Sequence, residues 1–118
     1  PRHVLKVFAR AAGPDRLAAT ADASPCAGLP PGTYNVLGNI AVLEPDGLLH
    51  NPEKQCLVGS SATLLDCMNV LHSLGLFTLE DLLRIGFHNP LGLIHVAPGE
   101  IPTCQHPLAF SPDTGFSH

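Results

Sequence analysis

Hydrophobic residues at the start of the chain recur with the period of an α-helix. Gly13 and Pro14 follow the last of them, and this pair both ends a helix and begins a turn. We therefore expect an amphipathic helix over residues 2–12 with a basic outer face. Its apolar positions are Val4, Leu5, Val7, Phe8 and Ala11.

A short run of small apolar residues, residues 17–21, comes next and ends at Asp22. The residues that follow are rich in Pro and Gly, which interrupt regular structure. This pattern predicts one strand that leads into a long loop, with Asp22 at the carboxyl end of the strand.

Apolar residues between Tyr34 and Leu49 are interrupted by an Asp46-Gly47 pair. An Asp-Gly pair between two apolar stretches is typical of a β-hairpin turn. The sequence thus predicts an antiparallel hairpin inserted into an otherwise α/β chain.

Helical periodicity returns after this hairpin. Ser60 or Ser61 is expected to cap a first helix, which Gly75 closes. Thr78 is expected to begin a second helix, because acidic residues follow in its first turn, where they suit the helix dipole.

A third, short helix is predicted near Asn89, because the proline that follows it fits a first helical turn. From Val96 onward prolines recur, and strand-like sequence is limited to Ile101 and residues 108–110. We expect edge strands or poorly ordered chain in this tail.

Composition and charge narrow the classes of function. The chain has 118 residues and a formal net charge of -4, with only six lysines and arginines. This length suits one domain or part of one, and nucleic-acid binding needs a more basic surface. No apolar run reaches the roughly 20 residues of a membrane helix, and the first residues do not resemble a signal peptide. We therefore expect a cytoplasmic protein with neither a nucleic-acid nor a membrane partner.

Motifs for several common chemistries are not found. The chain has no glycine-rich phosphate loop and no Gly-x-Ser-x-Gly elbow, which removes nucleotide hydrolysis and serine esterase chemistry from the leading candidates. Its histidines form no zinc-binding pair, and a tail site from Cys104 and His106 is a weak alternative. The four cysteines are too far apart in sequence for a zinc ribbon, and we expect them to be thiols in a reducing compartment. They are Cys26, Cys56, Cys67 and Cys104.

Asp22 is the leading candidate for chemistry. Catalytic groups of α/β folds project from the carboxyl ends of strands, where a carboxylate could take a proton from an attacking water and return it to a leaving amine. The alternative is a structural role, in which Asp22 accepts hydrogen bonds from loop amides. Position alone favours the structural role.

Four segments add a more specific indication. They read Gly13-Pro14-Asp15-Arg16-Leu17 with Asp22-Ala23, then AGLPPGTY at 27–34, LVGSSATL at 57–64, and LEDLLR at 79–84 with Asn89-Pro90. In this order and spacing they resemble the late part of the N-acetylglucosamine-6-phosphate deacetylases, members of the amidohydrolase superfamily. The resemblance covers about residues 1–95.

The resemblance implies an α/β fold: the C-terminal part of a (β/α)8 TIM-barrel amidohydrolase, with an inserted β-hairpin and a remnant of the small β-sandwich. Residues 1–95 would hold the last strand-helix units, and residues 96–118 a tail with edge strands. Asp22 would end the eighth strand and shuttle the proton when acetate is removed from the amide of N-acetylglucosamine 6-phosphate. Substrate-binding residues would be Leu57, Val58 and Gly59, around the N-acetyl group.

The same resemblance implies a divalent metal, zinc or similar, with its ligands on strands outside this chain and no metal ligand within it. Its partners would be the amino-sugar phosphate, the remainder of the barrel and, in a complete protein, further copies in a homo-oligomer. Because a TIM barrel typically takes about 250 residues, this chain alone is expected to be inactive.

Two alternatives stay open. A non-catalytic barrel remnant or interaction module is favoured by the low charge and by Ala21, which stands where the family usually has Thr. Another amidohydrolase, acting on a cyclic amide, is the second alternative.

Overall fold

The computed structural model describes residues 2–105 and 107–118, which form two compact units. We call residues 21–66 the sheet unit, and the described residues before 21 and after 66 the helical unit. Their helices are α1 Arg2–Ala12, α2 Leu64–His72, α3 Leu79–Leu83 and α4 Asn89–Leu93, and their strands are β1 Gly32–Val36, β2 Asn39–Leu43, β3 Leu49–Asn51, β4 Cys56–Leu57, β5 Ala109–Ser111 and β6 Gly115–Ser117.

The sheet unit contains four antiparallel strands that pair in sequence order, β1 to β4. Leu37 and Gly38 make the first turn with φ of 50° and 78°, as a tight hairpin between twisted strands requires. The second turn lies at the Asp46-Gly47 pair, where the Leu48 amide donates to the Asp46 carboxylate over 3.0 Å. The antiparallel turn predicted there is present, within a four-stranded sheet rather than a single hairpin.

One face of this sheet carries the core of the unit. Ala41 and Leu43 are two residues apart on β2 and are 0% and 5% exposed, because alternate residues of a strand share a face. Tyr34 and Val58 are partly buried and pack against this core. The buried cluster itself consists of Cys26, Val36, Ala41, Leu43 and Leu49.

Three of the helices, α1, α3 and α4, begin close to the predicted residues. Helix α1 spans Arg2–Ala12, as its apolar period predicts, and Thr78 caps α3 through a capping box with Asp81. Helix α3 continues through a π-helical turn, Arg84–His88, directly into α4, which begins at the predicted Asn89. Within the described residues, no helix is both long and apolar enough to cross a membrane.

This helical run holds the segment that follows α1. The Asn89 side chain donates to the carbonyl oxygens of Pro14 and Leu17, at 2.8 and 2.5 Å. The Arg84 guanidinium bonds the Asp15 carboxylate at 2.8 Å. The chain after α1 is therefore fixed by side chains some 70 residues further along.

The C-terminal tail forms a hairpin, β5 paired with β6, docked on α2. The Asn69 side chain donates to the Phe116 carbonyl (3.0 Å) and accepts from the Phe116 amide (2.8 Å). The His72 and Phe110 rings meet edge to face, 5.4 Å between centroids. Of the two outcomes expected for this tail, the structure has the strands.

Two local predictions are wrong. Residues 17–21 are not a strand: their backbone forms no β-ladder, and the nearest strand-like pairing is the isolated bridge between Ala23 and Ser60. The cap of α2 is Thr63, whose hydroxyl accepts from the Asp66 amide at 3.3 Å, and not Ser60 or Ser61. The predicted division of the chain at residue 95 stays a prediction.

Candidate functional site

The predicted catalytic residue and the predicted acetyl-binding segment lie side by side in the sheet unit. The Ser60 amide donates to the Asp22 carbonyl over 3.0 Å, and the Ser24 amide donates to the Ser60 carbonyl over 2.9 Å. These two bonds form a parallel bridge between Ala23 and Ser60. Asp22 and Gly59 are each next to a bridged residue, so the backbone brings together positions 37 residues apart in sequence.

Asp22 has a left-handed backbone, with φ of 47°, and its side chain is exposed. A left-handed conformation costs most residues about 1 to 2 kcal/mol, and Asp and Asn adopt it more readily than other residues with a side chain. Such conformations are found where the surrounding structure holds them. At Asp22, the two backbone hydrogen bonds on either side of Ala23 help to hold this conformation.

Gly59 is the residue that allows the close approach of the two segments. Its φ is 82°, and a Cβ built on it would lie 3.2 Å from the Asp22 carbonyl oxygen and 3.4 Å from the Ser24 Cβ. Any side chain here would therefore meet both an unfavourable backbone conformation and a crowded neighbour.

The other two residues of the predicted trio face different surroundings. Leu57, on β4, keeps 70% of its surface exposed and can offer an apolar side chain to a ligand. Val58 is half-buried, packs against the core and donates its amide to the Leu49 carbonyl over 3.1 Å. The Val58 side chain is thus used in the core, and Gly59 has only backbone to offer near Asp22.

Leu57 also borders a depression on the outer face of the sheet, with a volume of about 460 Å³. Next to it, the His50 Nε2 lies 2.9 Å from the Glu44 Oε1. Sequence reasoning did not single out this His-Glu pair. The strand register could have predicted the pair, because Glu44 and His50 lie on opposite sides of the Asp46-Gly47 turn. The residues that line the depression are Leu48, His50, Pro52, Gln55, Cys56 and Leu57.

Two aspartates at helix starts have pKa values below the usual range. The Thr63 hydroxyl and then the Thr63 amide lower the pKa of Asp66 by donating hydrogen bonds to its carboxylate. The Thr78 amide and then its hydroxyl do the same for the pKa of Asp81. Both aspartates therefore stabilise their helices in the ionised form.

The described residues do not provide a metal site. Across residues 2–105 and 107–118 there is no group of three His, Cys, Asp or Glu side chains placed to hold a metal ion. No disulfide bond is present in this part of the chain, and Cys26 is buried in the core. The weak tail alternative includes His106, which lies outside the described residues.

Comparison with known proteins gives matches among solved structures. No protein-family model matches the sequence, and no curated protein does. The N-acetylglucosamine-6-phosphate deacetylase of Pasteurella multocida is 18% identical, with a TM-score of 0.75 over 98% of this chain and 31% of that one. The Thermotoga maritima deacetylase is 16% identical, with a TM-score of 0.72 over 80% of this chain and 25% of that one.

A third match is a variant of the Mycobacterium smegmatis deacetylase in complex with N-acetyl-D-glucosamine-6-phosphate, 18% identical, with a TM-score of 0.69 over 80% of this chain and 26% of that one. The chain thus spans about a quarter to a third of the length of the structures it matches. The resemblance seen in the sequence is therefore confirmed for the fold: this mixed α/β chain has the fold of a C-terminal portion of the N-acetylglucosamine-6-phosphate deacetylases.

Proposed function

We propose that this chain is the C-terminal part of a metal-dependent amide hydrolase that removes acetate from N-acetylglucosamine 6-phosphate. The observation that carries the proposal is the bridge that sets Asp22 beside residues 57–59. The resemblance assigns the proton shuttle to Asp22 and the N-acetyl pocket to residues 57–59, and both roles need groups that reach one amide bond.

In the proposed reaction the exposed Asp22 carboxylate acts first as a base and then as an acid. It takes a proton from the water that attacks the acetyl carbonyl carbon. It then delivers that proton to the amide nitrogen as the C–N bond breaks, which releases acetate and the free amine. A side chain within hydrogen-bond reach of both oxygen and nitrogen can serve in both steps.

The acetyl group would lie against residues 57–59. Leu57 offers exposed apolar surface for the methyl group, and the backbone at Gly59 can approach the amide closely because no side chain intervenes. Phosphate and sugar contacts would come from other parts of a complete barrel.

Further components of the proposal lie outside the described residues. A divalent metal, zinc or similar, would be held by ligands from earlier barrel strands and would activate water and substrate toward hydrolysis. The complete protein would be a cytoplasmic homo-oligomer acting in amino-sugar catabolism. The eight-stranded barrel itself is part of this proposal.

The test is Asp22→Asn in the native-length protein, with acetate release from N-acetylglucosamine 6-phosphate as the assay. Asn keeps the size of the side chain and tolerates the left-handed backbone, so the fold should persist. We expect turnover to fall by about 10² to 10⁴, the usual contribution of a positioned acid-base group.

Asp46→Asn is the matched control, because it removes the same charge from an exposed turn of the same unit. Turnover by Asp22→Asn within a few-fold of the parent would refute the catalytic role. A folded parent that releases acetate from no N-acetylated sugar phosphate would instead favour the non-catalytic module, and ring opening of a cyclic amide would favour the other amidohydrolase.

A further inference from the structure

The backbone at Asp22 is fixed from two sides, and this bears on how its carboxylate is aimed. The bonds from Ser60 to Asp22 and from Ser24 to Ser60 bracket the single residue Ala23. The Asp22 backbone has a φ of 47°, so its side chain points in a different direction from that of a residue in an extended conformation. A change in the bridge would therefore turn the carboxylate.

Both sides of this bridge are anchored in the core of the sheet unit. On one side, Val58 lies two residues before Ser60, and its amide donates to the carbonyl of buried Leu49 over 3.1 Å. On the other, Ser24 is 9% exposed, and its hydroxyl oxygen accepts from the amide of the core residue Cys26 at 3.4 Å. Both sides of the bridge are thus hydrogen-bonded to buried backbone.

Gly59 sets the distance between the two segments. The atom that a Cβ would meet at 3.2 Å is the Asp22 carbonyl oxygen itself, the acceptor of the bond from Ser60. Backbone cannot turn aside as a long side chain can. A methyl group at residue 59 would therefore push apart the two residues that the bridge joins.

We propose that Gly59 and Ser60 are positioning residues for Asp22: the segment that lines the acetyl pocket also aims the carboxylate through the backbone bridge. This inference rests on the proposed function, because it assumes that Asp22 carries the proton. Its consequence is that changes at Gly59 act on the chemical step through Asp22, and not on substrate binding alone.

The experiment is Gly59→Ala in the native-length protein, read by amide hydrogen exchange at Ser24 and Ser60 and by the kinetics of acetate release. We expect exchange at both amides to become about tenfold faster, because the bridge opens more readily. We also expect kcat to fall by about tenfold or more while KM changes less, since small displacements of reacting groups are costly.

Gly38→Ala is the matched control. Gly38 has nearly the same φ, 78°, lies in the same unit, and a Cβ built on it would meet no atom within 4 Å. It carries the same backbone penalty without crowding Asp22. Exchange at Ser24 and Ser60, and kcat, should therefore stay at the parent values.

A double-mutant cycle separates positioning from a general structural effect. Combined with Asp22→Asn, Gly59→Ala should lower kcat little further, since its effect passes through a carboxylate already removed. An equally large loss in that background, or unchanged exchange at Ser60 in Gly59→Ala, would overturn the inference. If Gly59→Ala does not fold, Ala23→Gly tests the same point, because it loosens the backbone between the two bonds without adding atoms.

Failure of the inference and failure of the proposed function give different results. If Asp22→Asn abolishes turnover but Gly59→Ala retains the parent kcat, the positioning role is wrong and the catalytic role stands. If Asp22→Asn keeps the parent turnover, the catalytic role of Asp22 is wrong and its positioning by Gly59 falls with it. If the folded parent releases no acetate, the proposed function itself is wrong.

Discussion

Truncation of Leu49 to alanine should destabilise the sheet unit more than any exposed change in it. Leu49 is 2% exposed, lies on β3, and belongs to a buried cluster of five residues. Removal of a fully buried leucine side chain typically costs about 2 to 5 kcal/mol, part transfer free energy and part residual cavity. We expect the upper half of this range, because so small a cluster has few neighbours able to close the cavity.

The assay can report this unit alone. The chain has no Trp and a single Tyr, Tyr34, which lies on β1 and packs against the same core. Urea unfolding followed by tyrosine fluorescence therefore reports the sheet unit, and circular dichroism reports the helices. Leu37→Ala is the control, because Leu37 is 91% exposed and such surface changes usually alter the free energy of unfolding by under about 0.5 kcal/mol.

The reasoning would be refuted by a Leu49→Ala variant that unfolds at the same urea concentration as Leu37→Ala. A smaller loss, near about 1 kcal/mol, would mean that the core collapses around the deleted atoms. A second readout is exchange at the Val58 amide, which bonds the Leu49 carbonyl and should lose protection together with the core.

Two further predictions concern the helices. Because the pKa values of Asp66 and Asp81 are lowered in the folded chain, their stabilisation is full above the ordinary aspartate pKa of about 3.9 and is lost as the pH falls through the lower folded values. Acid titration followed by circular dichroism should show this loss, and the double variant Asp66→Asn, Asp81→Asn should remove it; an unchanged titration would contradict the capping role. Asn69→Ala removes both bonds to Phe116, and we expect it to free the C-terminal hairpin, at a cost of about 1 to 3 kcal/mol. Limited proteolysis should then cleave the tail faster than in the exposed control Asn35→Ala. Equal rates would mean that the two Asn69 bonds to Phe116 do not hold the hairpin.

Local signals predicted the helices and turns well. The bounds of α1 follow from an apolar period ended by Gly-Pro, and α3 is capped by Thr78, whose partner Asp81 stands three residues later. These features depend on residues within one turn of each other. Such contacts can therefore be predicted from neighbouring positions in the sequence alone.

Features that depend on distant partners could not be predicted in this way. The run at residues 17–21 is short and apolar, yet strand formation depends on a neighbour that local sequence does not reveal. The docking of the tail on Asn69 likewise joins residues 47 positions apart. Neither has a local signature.

The candidate site shows the same division. Asp22 was a candidate from its position alone, whereas residues 57–59 were singled out only through the resemblance. Their adjacency arises from a bridge that no periodicity predicts. Gly59 gave the most direct sequence indication of this contact. Glycine is used where the backbone needs a positive φ or where another segment approaches closely, and the structure has both at Gly59.

The energies around Asp22 explain why such a site depends on its frame. A left-handed Asp costs at most about 1 to 2 kcal/mol, and each bond of the bridge contributes about 0.5 to 1.5 kcal/mol net. The two bonds together contribute about 1 to 3 kcal/mol, which is comparable to the strain, and one bond alone does not reliably offset it. Both bonds therefore contribute to the conformation that aims the carboxylate, and we expect a change that loosens the core beneath Val58 or Ser24 to disturb Asp22 before the sheet itself unfolds.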